Sequence, residues 1–231
     1  MDNQLILLIE TATSNCSVAL SENGKIIAVK EANEQNIHAS HITLFIHKLM
    51  KNTGKKYTDL KAVAVSKGPG SYTGLRIGVS TAKGLCYALD IPLLGVDTLE
   101  AMACGLLLQN EISDSELLIP MIDARRMEVY TGVFKSNLEL VEPVHAKIID
   151  EFSFDQLNKG NLILFGDGST KFKQLFASKT NIEFKEYTNS ATDLNQIAWR
   201  KFKNQDSEDT AYFEPFYLKD FFISSGTKNK S

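Results

Sequence analysis

The chain has 231 residues, 43% apolar and 23% charged, a globular balance that excludes disorder over most of its length and leaves room for one large domain or two small ones. Lys plus Arg is 25 against 28 Asp plus Glu, a formal net charge of −3; this disfavours a stand-alone nucleic-acid binder, whose affinity comes mainly from neutralising phosphates. No stretch approaches the ~20 apolar residues that cross a bilayer, the start carries no basic leader, and Cys16, Cys86 and Cys104 have neither metal-site nor disulfide-framework spacing, so a cytoplasmic chain with buried thiols is expected.

Leu5–Ile9 is a continuous apolar run, the pattern of a buried strand. A polar turn over residues 10–15 leads into the alternating stretch Cys16–Leu20. Asn23-Gly24 is hairpin chemistry and Lys25–Glu31 the return strand, so the chain is predicted to open as a three-stranded antiparallel meander. The segment Asn36–Lys51 is predicted as a helix, because Ile42, Phe45, Ile46 and Leu49 recur at i, i+3, i+4, i+7. A buried strand follows at Leu60–Ser66, a loop at Gly68–Gly74, a helix at Leu75–Leu89 and a strand at Leu93–Val96. Thr98 is placed to N-cap the next helix, with Glu100 in its first turn.

The pattern then restarts, with strands at Leu117–Asp123, Glu128–Phe134 and Glu139–Ile149, a short helix at Asp155–Leu157 and a strand at Asn161–Phe165. The turn Gly166–Ser169 opens a predicted helix to Phe176, and the last helix is predicted at Thr192–Phe202. Meander followed by helix, twice, predicts an α/β chain of two similar lobes. They span residues 1–104, carrying partner-binding helices, and 105–223, whose last helix packs back on the first lobe. A polar tail covers 224–231.

The strand–Gly loop–helix unit at 63–89 has the shape of a phosphate cradle. Its spacing argues otherwise. No Gly-Lys-Ser or Gly-Lys-Thr occurs, Pro69 holds the second position of a dinucleotide fingerprint, and the interval after Gly70 is one residue too long. The helix that follows has two faces. Leu75, Gly78, Val79, Ala82, Leu85, Cys86 and Leu89 form the core side, while Ile77, Thr81, Gly84 and Ala88 form a small, uncharged opposite side. On the earlier helix Ile37, His41, Leu44 and Lys48 make a second side. Together these eight residues predict a helical partner interface, unless another part of the chain covers them. Glu34, His38 and His41 fall at i, i+4, i+7 but lack a fourth ligand, so they read as a polar helix edge rather than a metal site. Cys16 reads as a small buried hydrophobe, not a nucleophile. Arg125-Arg126 either holds a phosphate or a partner carboxylate, or is a solvated pair.

Several stretches together resemble a known family. They are Ile9-Glu10-Thr11-Ala12-Thr13, Lys67 through Gly78 (KGPGSYTGLRIG), Ala82-Lys83-Gly84-Leu85, Gly95-Val96-Asp97-Thr98-Leu99-Glu100, Ile122-Asp123-Ala124-Arg125-Arg126-Met127-Glu128-Val129-Tyr130, Gly166-Asp167-Gly168 and Pro215-Phe216-Tyr217-Leu218. The combination resembles the bacterial TsaB (YeaZ-like) family of tRNA threonylcarbamoyladenosine biosynthesis proteins, over nearly the whole chain. The resemblance implies the two-lobed actin/hexokinase/Hsp70-like (ASKHA) fold.

The resemblance also implies a non-catalytic paralogue of TsaD, the enzyme that transfers threonylcarbamoyl to the tRNA adenosine next to the anticodon. TsaD carries Gly-Val-Asn-His-Leu-Glu-Gly-His, whose histidines bind metal; here Thr98 and Met102 stand at the histidine positions. TsaD's Cys-Asp-Glu-Thr is replaced by Thr13-Ser14-Asn15-Cys16, and its late Thr-Asp-Asn-Gly has no counterpart. A pseudoenzyme is implied, with no catalytic, cofactor or metal residues of its own, ATP and metal belonging to partner subunits. The implied partners are TsaD as heterodimer through first-lobe helices, the ATPase TsaE in a ternary complex, TsaC as the pathway enzyme that makes threonylcarbamoyl-adenylate, and tRNA through the complex, with a homodimer when alone. The alternative is an active nucleotide-dependent small kinase or ATPase of the same fold. It needs a strand-end Asp for magnesium and a Gly after it, where Glu10 and Ala12 stand.

Overall fold

The computed structural model describes residues 3–33, 38–157 and 160–218, the side chains of residues 33 and 38–40 excepted. The first sheet has the order β3-β2-β1-β4-β5. Its strands are β1 (Leu5–Glu10), β2 (Asn15–Glu22), β3 (Lys25–Asn33), β4 (Leu60–Gly68) and β5 (Leu93–Asp97). β1 runs antiparallel to β2 and parallel to β4. Helices α1 (His38–Thr53) and α2 (Tyr72–Leu89) are the crossovers that the parallel pairs require.

β1 is apolar at every position from Leu5 to Ile9 because both sheet faces are covered. Side chains alternate between faces, so Leu5, Leu7 and Ile9 pack with Val18, Val63 and Val65 under α1 and α2. Ile6 and Leu8 point the other way, into a second cluster with Ala64, Leu94 and Val96. That cluster is closed by Ala101 and Cys104 of α3 (Thr98–Gln109) and by Ala191, Leu194, Ile197 and Ala198 from the far end of the chain. The closing unit is a 3₁₀ turn, Ala191–Leu194, followed by α4 (Asn195–Lys203).

The second sheet repeats the arrangement with β6 (Leu117–Asp123), β7 (Glu128–Lys135), β8 (Leu140–Ile148), β9 (Leu162–Phe165) and β10 (Ile182–Lys185) in the order β10-β9-β6-β7-β8. α3 lies between the two sheets. Leu99, Met102 and Leu106 face the second one, against Leu118, Ile122, Phe134 and Phe165. The apolar residues of α3 up to Leu106 are buried against both sheets, while Leu108 at its end is exposed. Among the described residues no helix is long and apolar enough to cross a membrane.

The elements depart from the sequence expectations at five places. The predicted helix from Gly166 to Phe176 is only a 3₁₀ turn, Thr170–Phe172, with successive turns beyond it; so short a segment, begun by Gly-Asp-Gly, does not recover the cost of helix nucleation. β10 escaped prediction because four residues carry little periodicity. α2 starts at Tyr72 rather than Leu75, since the Ser71 hydroxyl accepts from Gly74 N at 3.2 Å and fixes the first turn. The cap of α3 is Asp97, not Thr98: its Oδ1 accepts from Leu99 N (3.0 Å) and Glu100 N (3.2 Å), while Thr98 Oγ1 accepts from Gly68 N instead. The last helix opens with the 3₁₀ turn capped by Ser190.

Candidate functional site

Glycines decide which way α2 faces. A Cβ at Gly74 would collide with the Thr11 carbonyl oxygen, and one at Gly78 with the Thr11 hydroxyl. Ser71 N also donates to Ala12 O at 2.6 Å. The first two turns of α2 therefore lie flush on the β1–β2 turn, and the opposite side of the helix points outward.

On that outer side Gly84 has no atom within 4 Å of where its Cβ would stand. Ala88 is exposed, as are Leu44 and Lys48 on α1, which packs alongside α2. Ile77, Thr81 and His41 are half-buried. Ile77 touches the core below, Thr81 donates to Ile77 O at 2.8 Å, and the His41 ring meets Phe45 edge-on at 5.8 Å. Ile37 and Glu34 lie outside the described residues, as does the side chain of His38. The structure thus brings the described members of the eight-residue set onto two adjacent helices.

Glu10, at the end of β1, is buried at 1% exposure. Its Oε1 accepts from Ala12 N (2.6 Å) and Ser66 Oγ (2.9 Å). Burial pushes its carboxyl up to about 7, and the Asp193 carboxylate acts in the same direction. Asp193 is itself pushed to about 6 by burial, although it accepts from Tyr187 OH at 2.6 Å and Ser190 N at 2.7 Å. Thr13 Oγ1 donates to Asn189 Oδ1 (2.5 Å) and Asn15 Nδ2 to Asn189 O (2.8 Å). These bonds form a buried polar seam between the end of β1 and residues 187–193. Cys16 is buried beside the seam, and burial raises its thiol to about 11, too high for a thiolate nucleophile near neutrality.

Arg125 and Arg126 sit at the β6–β7 hairpin tip with φ of 73° and 51°. Asp123 shapes that turn: its Oδ1 accepts from Arg125 N (3.1 Å) and from Lys171 Nζ (2.5 Å), and its own N donates to Asp167 Oδ1 (3.0 Å). Both arginine side chains project into solvent. Among the described residues no cluster of three or more His, Cys, Asp or Glu could hold a metal.

Residues 206–218 were not anticipated as part of any site. This segment straps the edge of the first lobe. Glu208 N donates to Leu93 O (2.9 Å) and Phe216 N to Lys67 O (2.7 Å). Lys83 Nζ, on α2, donates to Ala211 O (3.1 Å) and Phe213 O (2.8 Å). Arg76 lies over the Tyr72 ring at 3.9 Å and donates to Tyr217 OH at 3.1 Å. The anchors are mostly backbone carbonyls, which no side-chain pattern reveals; the sequence marks this segment through the stretch Pro215-Phe216-Tyr217-Leu218.

A family model described as "TsaD: tRNA N6-adenosine threonylcarbamoyltransferase" matches residues 27–220. The chain is 29% identical over 222 residues to the tRNA threonylcarbamoyladenosine biosynthesis protein TsaB of Escherichia coli (strain K12), covering 93% of this chain and 94% of that one. It is 32% identical over 177 residues to TsaB of Buchnera aphidicola subsp. Schizaphis graminum (strain Sg), covering 74% and 82%. The chain belongs to the TsaB family, within the broader family of the TsaD model. The solved structure of YeaZ from Pseudomonas aeruginosa superposes with a TM-score of 0.78 at 23% identity, covering 94% of this chain and 100% of that one. The fold is the two-lobed actin/hexokinase/Hsp70-like one, as expected for TsaB, with the strand order repeated in each lobe.

Proposed function

We propose that this TsaB-family chain is a non-catalytic scaffold in tRNA threonylcarbamoyladenosine formation, pairing with a TsaD subunit through the outer face of α1 and α2. In this reading TsaE joins the pair, TsaC supplies the activated threonylcarbamoyl group, and tRNA is reached through the complex. The same face self-associates when TsaD is absent. The observation that carries the proposal is the outer side of α2: small, uncharged and open at Gly84, on a helix whose inner side is locked by glycine packing. Small residues let another helix approach closely, and Ile37, His41, Leu44, Lys48, Ile77, Thr81, Gly84 and Ala88 are its proposed contact set.

The chemistry of the candidate site supports the absence of catalysis by this chain. The residues at TsaD's metal positions do not fit a metal. Thr98 spends its hydroxyl on Gly68 N, and Met102 is buried against Gly166; neither a hydroxyl nor a thioether replaces imidazole for a borderline dication. Glu10, where a kinase would hold magnesium through an Asp, has an oxygen bonded to Ala12 N and Ser66 Oγ and a carboxyl that burial pushes up to about 7.

Light scattering on a sizing column tests the pairing, with the chain alone and then mixed with the same organism's TsaD. A one-to-one heteromer is expected, and Gly84→Arg abolishes it without lowering the melting temperature. Failure to associate at low and moderate salt overturns the scaffold reading. ATP turnover by the purified chain alone supports the kinase or ATPase alternative instead.

A further inference from the structure

Exposed aromatic side chains gather beside α2. Tyr87 on α2 is 88% exposed, and Tyr212 on the strap is 84% exposed. Lys83 and Tyr87 are i and i+4 on the helix, so they share one side of it. Lys83 grips the carbonyl of Ala211, the residue before Tyr212. Both tyrosines therefore flank one anchor point, at the margin of the small-residue stripe.

We propose that residues 206–218 form the second half of the partner face, with Tyr87 and Tyr212 as its aromatic anchors, seated on the same TsaD subunit that docks on α1 and α2. This rests on the scaffold reading above and extends it.

The area required favours it. A stable interface buries about 800 Å² on each partner. The outer stripe of α2 is built from Ile77, Thr81, Gly84 and Ala88, with Thr73 and Ser80 beside them; such side chains permit close approach but contribute little surface. A tyrosine buries about 150–250 Å², so the two together supply a large share of what the stripe lacks. Tyrosine also concentrates binding energy at interfaces, having few rotatable bonds to freeze. The strap is already fixed on its inner side by Glu208 N, Lys83, Arg76 and Phe216 N. Its ordering cost is met within the monomer, and a partner meets a preformed surface. The basic side chains nearest the patch are engaged as well. Arg76 is stacked on Tyr72 and bonded to Tyr217, and Lys83 is bonded to two carbonyls. What remains outward is aromatic with an acidic margin, since Asp209 and Glu214 flank Tyr212 on the exposed side of the strap; it suits a partner pocket that is apolar at its centre and basic at its rim.

Titration calorimetry with the same organism's TsaD decides the matter, using the full chain. Tyr212→Ala and Tyr87→Ala are each expected to weaken binding about 30-fold, with melting temperatures unchanged because neither ring is buried. Tyr212→Phe keeps the ring and retains affinity within a few-fold. If Gly84→Arg abolishes binding while Tyr212→Ala binds like wild type, the strap proposal fails and the α1–α2 reading stands. If Gly84→Arg also binds like wild type, the scaffold face itself is misplaced. If Tyr212→Ala disrupts self-association and leaves TsaD affinity intact, the occupant is a second copy and the proposal is overturned.

Discussion

Glu10 is a carboxylic acid whose burial favours its neutral form far above the usual carboxylate range. Its carboxyl sits at about 7 in the folded chain against 4.5 for an unperturbed Glu, and Asp193 at about 6 against 3.8. Burial is the first cause for both. In the window between the unperturbed and folded values the native state holds protons that the unfolded state has released. Stability is therefore fully present below about pH 4 and falls as pH rises toward 7. For Glu10 the loss is on the order of 3 kcal/mol. Glu10→Gln keeps an oxygen to accept from Ala12 N and Ser66 Oγ and cannot ionise. The expected result is a shallower decline of the urea midpoint between pH 5 and 7.5 than wild type shows, the remaining slope belonging to Asp193. Equal slopes for the two proteins would place the ionisation elsewhere.

At the scale of an element, α2 is one helix with two incompatible glycine requirements. Gly78 is pressed against Thr11, so Gly78→Ala must displace a buried side chain on β1's turn and is expected to cost about 1–3 kcal/mol. Gly84 faces open space, so Gly84→Ala removes a flexible residue from a helix interior and is expected to add up to about 1 kcal/mol. Urea denaturation of the two variants reads the opposite signs directly, and a matching loss in both would mean that Gly84 is covered. This two-sidedness was legible in the sequence because a 3.6-residue period sorts Gly78 and Gly84 onto opposite faces. The β1–β2–β3 meander was legible for the same kind of reason, through the alternation after Cys16 and the Asn23-Gly24 turn. What escaped were contacts without a period: the strap on Lys83 and Arg76, the four-residue β10, and the seam that joins Glu10 to Asp193 across 183 residues of sequence. Long-range polar contacts of that kind follow from the packed topology, not from any local pattern.

For the molecule as a whole, the two lobes share a strand order but differ in what covers them. The first carries α1 and α2 on its outer face, while in the second the equivalent connections hold, among the described residues, the 3₁₀ turns Asp155–Leu157 and Thr170–Phe172. A partner that docks on helices thus has a first-lobe surface for which the described residues of the second lobe offer no matching pair. The lobes are also not separable bodies. The inner face of the first sheet, with Ile6, Leu8, Ala62, Ala64, Leu94 and Val96, is closed by Ala191, Leu194, Ile197 and Ala198. Across the same junction, Leu99, Met102 and Leu106 of α3 are covered by the second sheet. A fragment of residues 1–110 would keep α1 and α2 yet expose both apolar surfaces, each of which is buried in the intact chain. Losing the cover of several fully buried aliphatic side chains, at about 1.5–3 kcal/mol each, removes more than the 5–15 kcal/mol by which a domain is stable. The fragment is therefore expected to melt without a cooperative transition and to bind a dye specific for exposed apolar surface. A sharp calorimetric melt of the isolated fragment would mean that the first lobe stands alone, and that the seam and α4 serve attachment rather than folding.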